Sequence, residues 1–336
     1  MSKISVVIPV YKVGKYIENS MKSVCAQTFK DFEVLLVDNN TPDDSIEIAE
    51  RVLIEGGIDY RVVKQTVQGL PAARNMGIRE AQGEWIISID PDDTVSPRFL
   101  ADLYECATTN GLDTVFSKYD EVGPDRLFDF PEENKEEVTE FYTKDEILQL
   151  LLVRKMPLMI SNMFFNKEAF IKKGCWFDED VILGADLINL WRILINTERI
   201  AYLNKFMYNH FERPDSLMTA PSWKKIESNL MGYVRLRSYV KNNYSKQLGE
   251  WINARAIYAF MSTLCIFGNR SMYKEYLDKH YNDDVHKVLQ SFPDKKIQLL
   301  DRILYATPSF FYFINKTLRN PNSTAWKIIA KRLHKN

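Results

Sequence analysis

A hydrophobic run that leads directly into three carboxylates makes up the stretch Gly83-Glu84-Trp85-Ile86-Ile87-Ser88-Ile89-Asp90-Pro91-Asp92-Asp93. The part from Glu84 to Ile89 has the length and composition of a buried β-strand. The carboxylates follow where that strand would end, and open α/β sheets bind ligands at the carboxyl ends of their strands. The stretch therefore predicts a buried strand with a polar site at its end.

Strand-like and helix-like segments alternate over roughly the first 120 residues. Strands are predicted at residues 4–8, 33–37, 60–63 and 84–89, and helices at residues 17–24, 45–52 and 71–81. This alternation is typical of an α/β domain with a mainly parallel sheet. Two more polar clusters, Pro9-Val10-Tyr11 and Asp38-Asn39-Asn40, follow predicted strands. Because parallel strands end at one edge of a sheet, we expect these clusters and the three carboxylates to lie close together.

Charge is distributed unevenly along the 336 residues, although the net charge is only −1. Residues 225–336 contain 19 Lys and Arg against 8 Asp and Glu, which leaves a net charge of −12 on residues 1–224. From residue 223 onward the pattern is helical almost throughout. We therefore expect an α/β domain over residues 1–222 and a basic, mostly helical domain over residues 223–336.

The compartment is inferred from the cysteines and from apolar segments. Cys25, Cys106, Cys175 and Cys265 are far apart and form no C-x-x-C pair, which predicts reduced thiols. The N-terminus lacks the apolar segment of a secretory signal. The longest apolar stretch, residues 256–268, is shorter than the roughly 20 residues that span a bilayer. A cytoplasmic protein is expected, which could lie at the inner face of the cell membrane.

Asp90 and Asp92 are the first candidates for a metal site. Two carboxylates at a strand end can share a hard divalent cation such as Mg²⁺ or Mn²⁺. Such a cation stabilises the charge that develops on a departing diphosphate. The alternative is a simple turn in which an Asp caps the helix after Pro97.

The first half of the chain resembles family 2 glycosyltransferases, an inverting group with the GT-A fold. The matching stretches are Ile4 to Tyr11, Ser23 to Phe29, Val37 to Asp43, Gly69 to Ile78 and Gly83 to Asp93. The resemblance is dense to about residue 105 and thinner to about residue 218. It implies a nucleotide-binding half over about residues 1–120 and an acceptor half over about residues 121–222. It also implies sugar transfer from a nucleotide-diphosphate donor, a UDP-sugar, to an acceptor hydroxyl in surface glycan synthesis, with Mn²⁺ or Mg²⁺ as cofactor.

The resemblance also implies a role for each matching position. Pro9 and Tyr11 would line the base and ribose pocket, and Asp38 would accept a hydrogen bond from uracil. Arg74 would hold the nucleotide or its diphosphate. Asp90 would lie near the ribose and the metal, and Asp92 would bind the metal directly. As alternatives, Asp38 could be a turn former and Arg74 a partner in a surface salt bridge.

Asp186 is the candidate general base, which an inverting transfer needs to deprotonate the acceptor hydroxyl. It lies at the start of an amphipathic helical pattern, where the helix dipole stabilises a carboxylate. The family commonly has an acidic pair here, whereas this chain has Ala185-Asp186. Asp186 could instead be a plain N-terminal Asp that satisfies backbone donors. Asp178, Glu179 and Asp180 are the reserve candidates.

A basic segment downstream, His210 to Ser216, resembles the loop of the family that closes over the diphosphate. Arg213 is predicted to bind phosphate oxygens. His210 is a weaker candidate for the phosphate or the metal, since a single His is more often structural. Lys12 and Asn39-Asn40 depart from the Asn and Asp-Gly that are common in the family, which leaves the donor base open.

The end of the chain combines aromatic, aliphatic and basic residues: Trp326, Ile328, Ile329 and Leu333 among Lys327, Lys331, Arg332 and Lys335. It could rest on an anionic membrane, dock on the acidic domain or form a homo-oligomer. The expected partners are a nucleotide-sugar donor and a glycan or lipid-linked acceptor, with no nucleic acid. Two other classes of protein remain. A sugar nucleotidyltransferase is disfavoured, because that class normally has a Gly- and Arg-rich phosphate loop after the first strand and this chain has only Gly14 there. A catalytically impaired scaffold of the same fold is suggested by Ala185.

Overall fold

The computed structural model describes residues 2–130, 139–156, 158–181, 184–211 and 223–318. Its strands are β1 (Ile4–Val10), β2 (Phe32–Asp38), β3 (Tyr60–Lys64), β4 (Trp85–Ser88), β5 (Thr94–Val95), β6 (Thr114–Val122), β7 (Thr139–Thr143), β8 (Met163–Asn166) and β9 (Arg199–Phe211). Its helices before residue 200 are α1 (Ile17–Cys25), α2 (Ser45–Glu55), α3 (Leu70–Glu80), α4 (Phe99–Asn110), α5 (Lys144–Leu152), α6 (Lys167–Lys172) and α7 (Ala185–Ile195), with a 3₁₀ turn at Pro124–Arg126. The predicted order of strands and helices is confirmed.

The strands form one mixed sheet in the order β3-β2-β1-β4-β8-β6-β9-β5, with β7 also paired to β9. The first four strands in this order are parallel, as the βα alternation predicts. β8 lies antiparallel between β4 and β6, and β6 runs parallel to β9. The expected α/β class is therefore confirmed, with antiparallel pairing confined to the second half of the sheet.

The core forms where β1 and β2 are covered by helices. Every residue of β1 is buried, and the predicted apolar positions of α1, namely Ile17, Met21 and Val24, are buried as well. On α3, a Cβ atom at Gly77 would lie only 2.2 Å from Cγ1 of Val7. Glycine at this position lets α3 approach the sheet closely, and this places the start of α3 beside the strand ends.

A buried carboxylate fixes the opposite edge of the sheet. Glu33 on β2 accepts hydrogen bonds from Ser5 Oγ at 2.6 Å, from the Gln82 backbone N–H at 2.7 Å and from Arg61 Nη2 at 2.9 Å. Burial alone would raise the pKa of Glu33, but these bonds outweigh it and lower the pKa. Glu33 therefore joins β1, β3 and the turn before β4.

The chain divides into two compact units, residues 1–232 and 233–336. The helices after residue 220 are α8 (Trp223–Asn243), α9 (Lys246–Phe267), α10 (Arg270–His280), α11 (Asp283–Gln290), α12 (Lys295–Ala306) and α13 (Pro308–Leu318). The predicted C-terminal helices are thus confirmed. The division falls within α8, and the domain boundary near residue 222 stays a prediction.

In the second unit, α9 contacts α10, α11 and α13. Ser245, Asn269 and Asn282 each cap the N-terminus of the next helix with a side-chain oxygen. Among the described helices, none combines the length and hydropathy needed to span a membrane.

Candidate active site

The predicted polar clusters lie at one edge of the sheet. Val10 at the end of β1 pairs with Asp38 at the end of β2, and Asp90 follows β4, which pairs with β1 on its other side. Pro9 is buried within β1, whereas the next side chain beyond the strand, Tyr11, is 41% exposed. The strand ends therefore form a row of polar groups with an aromatic ring beside it.

The loop after β2 is fixed by Asn39. Its Nδ2 donates to the carbonyl oxygens of Gln65 at 3.1 Å and Val67 at 2.7 Å, and its Oδ1 accepts from the Gly69 N–H at 2.7 Å. Asp38 Oδ1 accepts from the Thr41 N–H at 3.0 Å. Asn39 thus holds the segment between β3 and α3 against the loop that follows Asp38.

Two of the positions that depart from the family pattern have left-handed backbones. Lys12 has φ 52° and Asn40 has φ 57°. Gly and Asn adopt this region at little cost, while Lys does so rarely. The Asn40 substitution is therefore conservative for the backbone. Lys12 places its Nζ 5.3 Å from the centre of the Tyr11 ring.

Arg74 joins two candidate site residues that are far apart in the sequence. Its Nη2 donates to Asp90 Oδ1 at 2.7 Å, and its Nη1 donates to Asp186 Oδ1. The Arg74 side chain is 1% exposed, whereas Asp90 is 23% and Asp186 47% exposed. Burial alone would lower the pKa of Arg74, but the two carboxylates outweigh it and raise the pKa. A buried cation therefore holds two accessible carboxylates together.

This geometry bears on the role predicted for Arg74. Each terminal nitrogen of its guanidinium donates one N–H to a protein carboxylate, and because the side chain is only 1% exposed, little of it is accessible to a diphosphate. Binding of the nucleotide by Arg74 stays a prediction. The observed contacts are those of a residue that positions Asp90 and Asp186.

Asp186 is carried by α7, whose buried face anchors it. Ile188, Leu190, Trp191 and Leu194 are buried, while Leu187 is only half-buried. Gly184, with φ 87°, precedes the helix. Asp186 in the first turn is therefore on a rigid support, as predicted.

The reserve base candidates have structural partners. Asp178 forms a two-pronged ion pair with Arg192, with both N–O distances at 3.0 Å. Glu179 accepts from Asn75 Nδ2 at 2.8 Å and lies 3.7 Å from Arg79. These contacts tie the segment before α7 to α3 and hold Asp178 and Glu179 in place. Asp186, which is 47% exposed against 19% for Asp178 and 34% for Glu179, is the most accessible of the three to a ligand.

A second buried carboxylate, Asp93, organises the end of β9. It is fully buried and accepts from Tyr208 Oη at 2.6 Å and from the Phe211 N–H at 2.8 Å. His210 Nδ1 lies 3.2 Å from its Oδ2. Tyr208 Oη also accepts from the Asp90 N–H at 3.3 Å. Asp93 and Tyr208 therefore connect β9 to the carboxylate cluster after β4.

The contact with Asp93 determines the state of His210. The hydrogen bond to Asp93 raises the pKa of His210 to about 9, so the imidazole is protonated at neutral pH. A protonated imidazole can donate to a phosphate oxygen. The arrangement favours the phosphate role of His210, and both roles remain predictions.

Asp90 and Asp92 have the chemistry expected of a magnesium or manganese site. Mg²⁺ is usually bound by one or two carboxylates together with substrate phosphates and water. Across the described ranges, no group of three or more His, Cys, Asp or Glu side chains is arranged to hold a metal. Metal binding by Asp90 and Asp92 stays a prediction. Arg213, the predicted phosphate ligand, lies outside the described residues.

Comparison with known proteins identifies the family. The profile of glycosyl transferase family 2 matches residues 5–174. An uncharacterized glycosyltransferase of Bacillus subtilis, EpsJ, is 30% identical over 72% of this chain and 70% of its own length. A cholesterol galactosyltransferase of Borreliella burgdorferi is 24% identical over 90% of this chain and 91% of its own. The chain belongs to glycosyltransferase family 2.

A solved structure supports the fold. Residues 1–349 of S. aureus TarS, in complex with UDP-GlcNAc, superpose with a TM-score of 0.70 at 18% sequence identity. The match covers 94% of this chain and 90% of that chain. The predicted GT-A fold with additional C-terminal helices is confirmed.

Sequence reasoning assigned no role to Tyr208, Asp93 or Asn75. Asn75 bonds both to the N–H and to the carbonyl oxygen of Phe177, each at 3.0 Å, and so fixes the segment before α7. Asp93 and Asn75 lie within the stretches that resemble the family, and this resemblance could have marked them as site residues. Tyr208 lies in a strand of mixed polar and apolar residues outside the matching stretches and gave none.

We expect Arg74→Lys to lower the free energy of unfolding by about 1–3 kcal/mol, because a single ammonium cannot replace two charge-assisted hydrogen bonds from a planar fork. Arg79→Lys is the matched control on the same helix, since Arg79 is 49% exposed and its ion pair is long. Arg79→Lys should change the free energy of unfolding by no more than about 0.5 kcal/mol. Urea denaturation without ligand measures both variants. Equal stability of the two would show that the buried bridge contributes little.

Proposed function

We propose that this protein is an inverting, metal-dependent glycosyltransferase that transfers a sugar from a UDP-sugar to an acceptor hydroxyl. The observation that carries the proposal is the bridge from Arg74 to Asp90 and Asp186. It brings a half-exposed carboxylate on α7 to the strand ends where family members would bind the donor. A base for the acceptor and a site for the donor thus lie side by side.

Donor binding is assigned to the row of strand ends. Tyr11 is exposed enough to stack on a base, and the Asp38 carboxylate can accept from the N3–H group of uracil. The UDP-GlcNAc complex of TarS supports UDP as the nucleotide. Asn39 supplies the rigidity, since it fixes the two loops on either side of this row.

The transfer step needs a proton acceptor on the acceptor side of the sugar. Asp186 takes the proton of the acceptor hydroxyl as its oxygen attacks the anomeric carbon. The bond from that carbon to the diphosphate oxygen breaks, its electron pair leaves with UDP, and the configuration inverts. Arg74 acts as a positioning residue that orients the Asp186 carboxylate.

The leaving diphosphate needs a positive environment. A Mn²⁺ or Mg²⁺ ion held by Asp92 and Asp90 would neutralise the charge that develops there. His210, whose pKa is raised by its contact with Asp93, is proposed to donate to a phosphate oxygen. Arg213 is proposed for the same role on the basis of the family resemblance.

We predict that Asp186→Asn lowers kcat at least about a hundredfold while the affinity for UDP changes less than about threefold, because the amide keeps the size but cannot accept the proton. Glu179→Gln is the matched control, since Glu179 is a neighbouring carboxylate with structural partners. Steady-state kinetics and UDP titration calorimetry measure both. A large loss of kcat in Glu179→Gln with near-normal Asp186→Asn would reassign the base.

We further propose that the C-terminal helices bring the enzyme to an anionic membrane and a lipid-linked glycan acceptor. On α12 and α13, Leu299, Phe310 and Phe313 are 57%, 53% and 60% exposed. Cationic residues are in excess from residue 225 onward. One relative is named for transfer to a lipid, cholesterol. Exposed apolar groups within a basic helical region are typical of interfacial binding.

We predict that the full chain binds phosphatidylglycerol vesicles. The double variant Phe310→Ser, Phe313→Ser should bind them about tenfold more weakly, because two apolar rings are no longer buried in the bilayer. Phe141→Ser on β7 is the control, because Phe141 is 46% exposed in the other unit. Vesicle co-sedimentation measures binding, and light scattering measures oligomeric state. Dissociation of an oligomer with unchanged vesicle binding would indicate a subunit contact instead.

A further inference from the structure

The loop from Gly123 to Phe130 presents a large apolar side chain to solvent in the first unit. Phe128 is 53% exposed, and its neighbours Asp125, Arg126 and Asp129 are also exposed. The transfer reaction proposed above gives this ring no role. Single exposed apolar side chains are common on protein surfaces, so the case depends on how the loop is held and where it lies.

The loop is held by a buried side chain. Asn209, which is 1% exposed, directs its Nδ2 toward the carbonyl oxygens of Arg126, Leu127 and Asp129, at 3.4, 3.2 and 3.3 Å. Thr94 Oγ1 donates to the same Leu127 carbonyl. The backbone on both sides of Phe128 is therefore anchored to the sheet.

Two ion pairs on the surface also hold the loop. Arg126 donates from Nη2 to Asp120 at 2.9 Å and from Nε to Asp129 at 3.2 Å. The first bond links the loop to β6, and the second joins the residues on either side of Leu127 and Phe128. An aromatic ring on a loop fixed in this way loses little conformational freedom when it binds a ligand.

The anchors place the loop next to the carboxylate cluster. Asn209 pairs with Thr94 of β5 on one side and with Asp120 of β6 on the other. Thr94 directly follows Asp93, and Asn209 directly precedes His210, which contacts Asp93. Thr94, which anchors the loop, thus lies two residues after Asp92, at the edge of the sheet where the donor would bind.

We propose that Phe128 is the platform on which a sugar ring of the acceptor stacks. This inference rests on the proposed function and adds a binding residue for the acceptor. One face of a pyranose is formed by C–H groups that pack on an aromatic ring, while its hydroxyls can bond to the charged groups around Phe128. A hydrocarbon chain at this position would desolvate Asp125, Arg126 and Asp129 without bonding to them, which is costly.

Phe141 is a matched control for this position. It is the same residue type in the same unit and is 46% exposed. It pairs with Ala201 on β9, and Ala201 and Asn209 pair with Val115 and Asp120 of β6, which are five residues apart, or roughly 17 Å along the strand. Its ring lies 5.6 Å from the Arg199 guanidinium. Loss of Phe141 should therefore leave acceptor binding unchanged.

The experiment is saturation-transfer NMR on the full chain with UDP and Mg²⁺, which is diamagnetic, using the methyl β-glycosides of glucose, galactose and N-acetylglucosamine as probes. For at least one probe, the C–H protons of one ring face should receive the strongest saturation. Phe128→Ala should reduce this transfer about five- to tenfold, while Phe128→Trp retains it and Phe141→Ala leaves it unchanged. Stabilisation of each variant by UDP serves as the independent readout of donor binding.

Equal saturation transfer in Phe128→Ala and wild type, or no probe binding to wild type, would overturn the platform. Binding of phosphatidylglycerol vesicles that depends on Phe128 would also overturn it and assign the loop to lipid. If UDP fails to stabilise wild type while sugar binding depends on Phe128, the proposed donor is wrong and the platform stands. If UDP stabilises the protein normally but Phe128→Ala does not change saturation transfer, the proposed donor site is retained and the proposed role of Phe128 is wrong.

Discussion

The site depends on one buried guanidinium between two carboxylates. An unpaired Arg74 in this position would be very costly, because its side chain is almost completely enclosed. Asp90 and Asp186 supply the negative charge, and each keeps part of its surface open to a ligand. The packing of α3, which needs Gly77 to approach β1, sets where that charge lies. The position of the proposed base is thus determined by the same contacts that hold the helix on the sheet.

This arrangement bears on the missing acidic neighbour at Ala185. The family commonly has two carboxylates there, whereas here a single carboxylate is held by an arginine that also holds Asp90. Asp178 and Glu179, the nearest alternatives, are engaged with Arg192 and with Asn75 and Arg79. The chain thus keeps the half-exposed Asp186 carboxylate in an ordered position, which argues against the impaired scaffold.

Much of the first half could be predicted from sequence, since buried parallel strands are continuous apolar runs and their ends carry polar residues. The carboxylates after β4 were found in this way, and the helix that carries Asp186 was found from its amphipathic pattern. The bond from Arg74 to Asp186 could not be, because it spans 112 residues and no local pattern records it. The antiparallel insertion of β8 and the anchoring of the Phe128 loop by Asn209 are long-range in the same sense.

The most direct test of the account is a crystal structure with UDP and manganese, with anomalous scattering to locate the metal. The account predicts a manganese peak beside Asp92 and Asp90, uracil at Asp38 and Tyr11, and the Asp186 carboxylate still bonded to Arg74 on the open side of the diphosphate. Nucleotide bound away from the strand ends, or Asp186 turned away from Arg74 and from the donor, would contradict it.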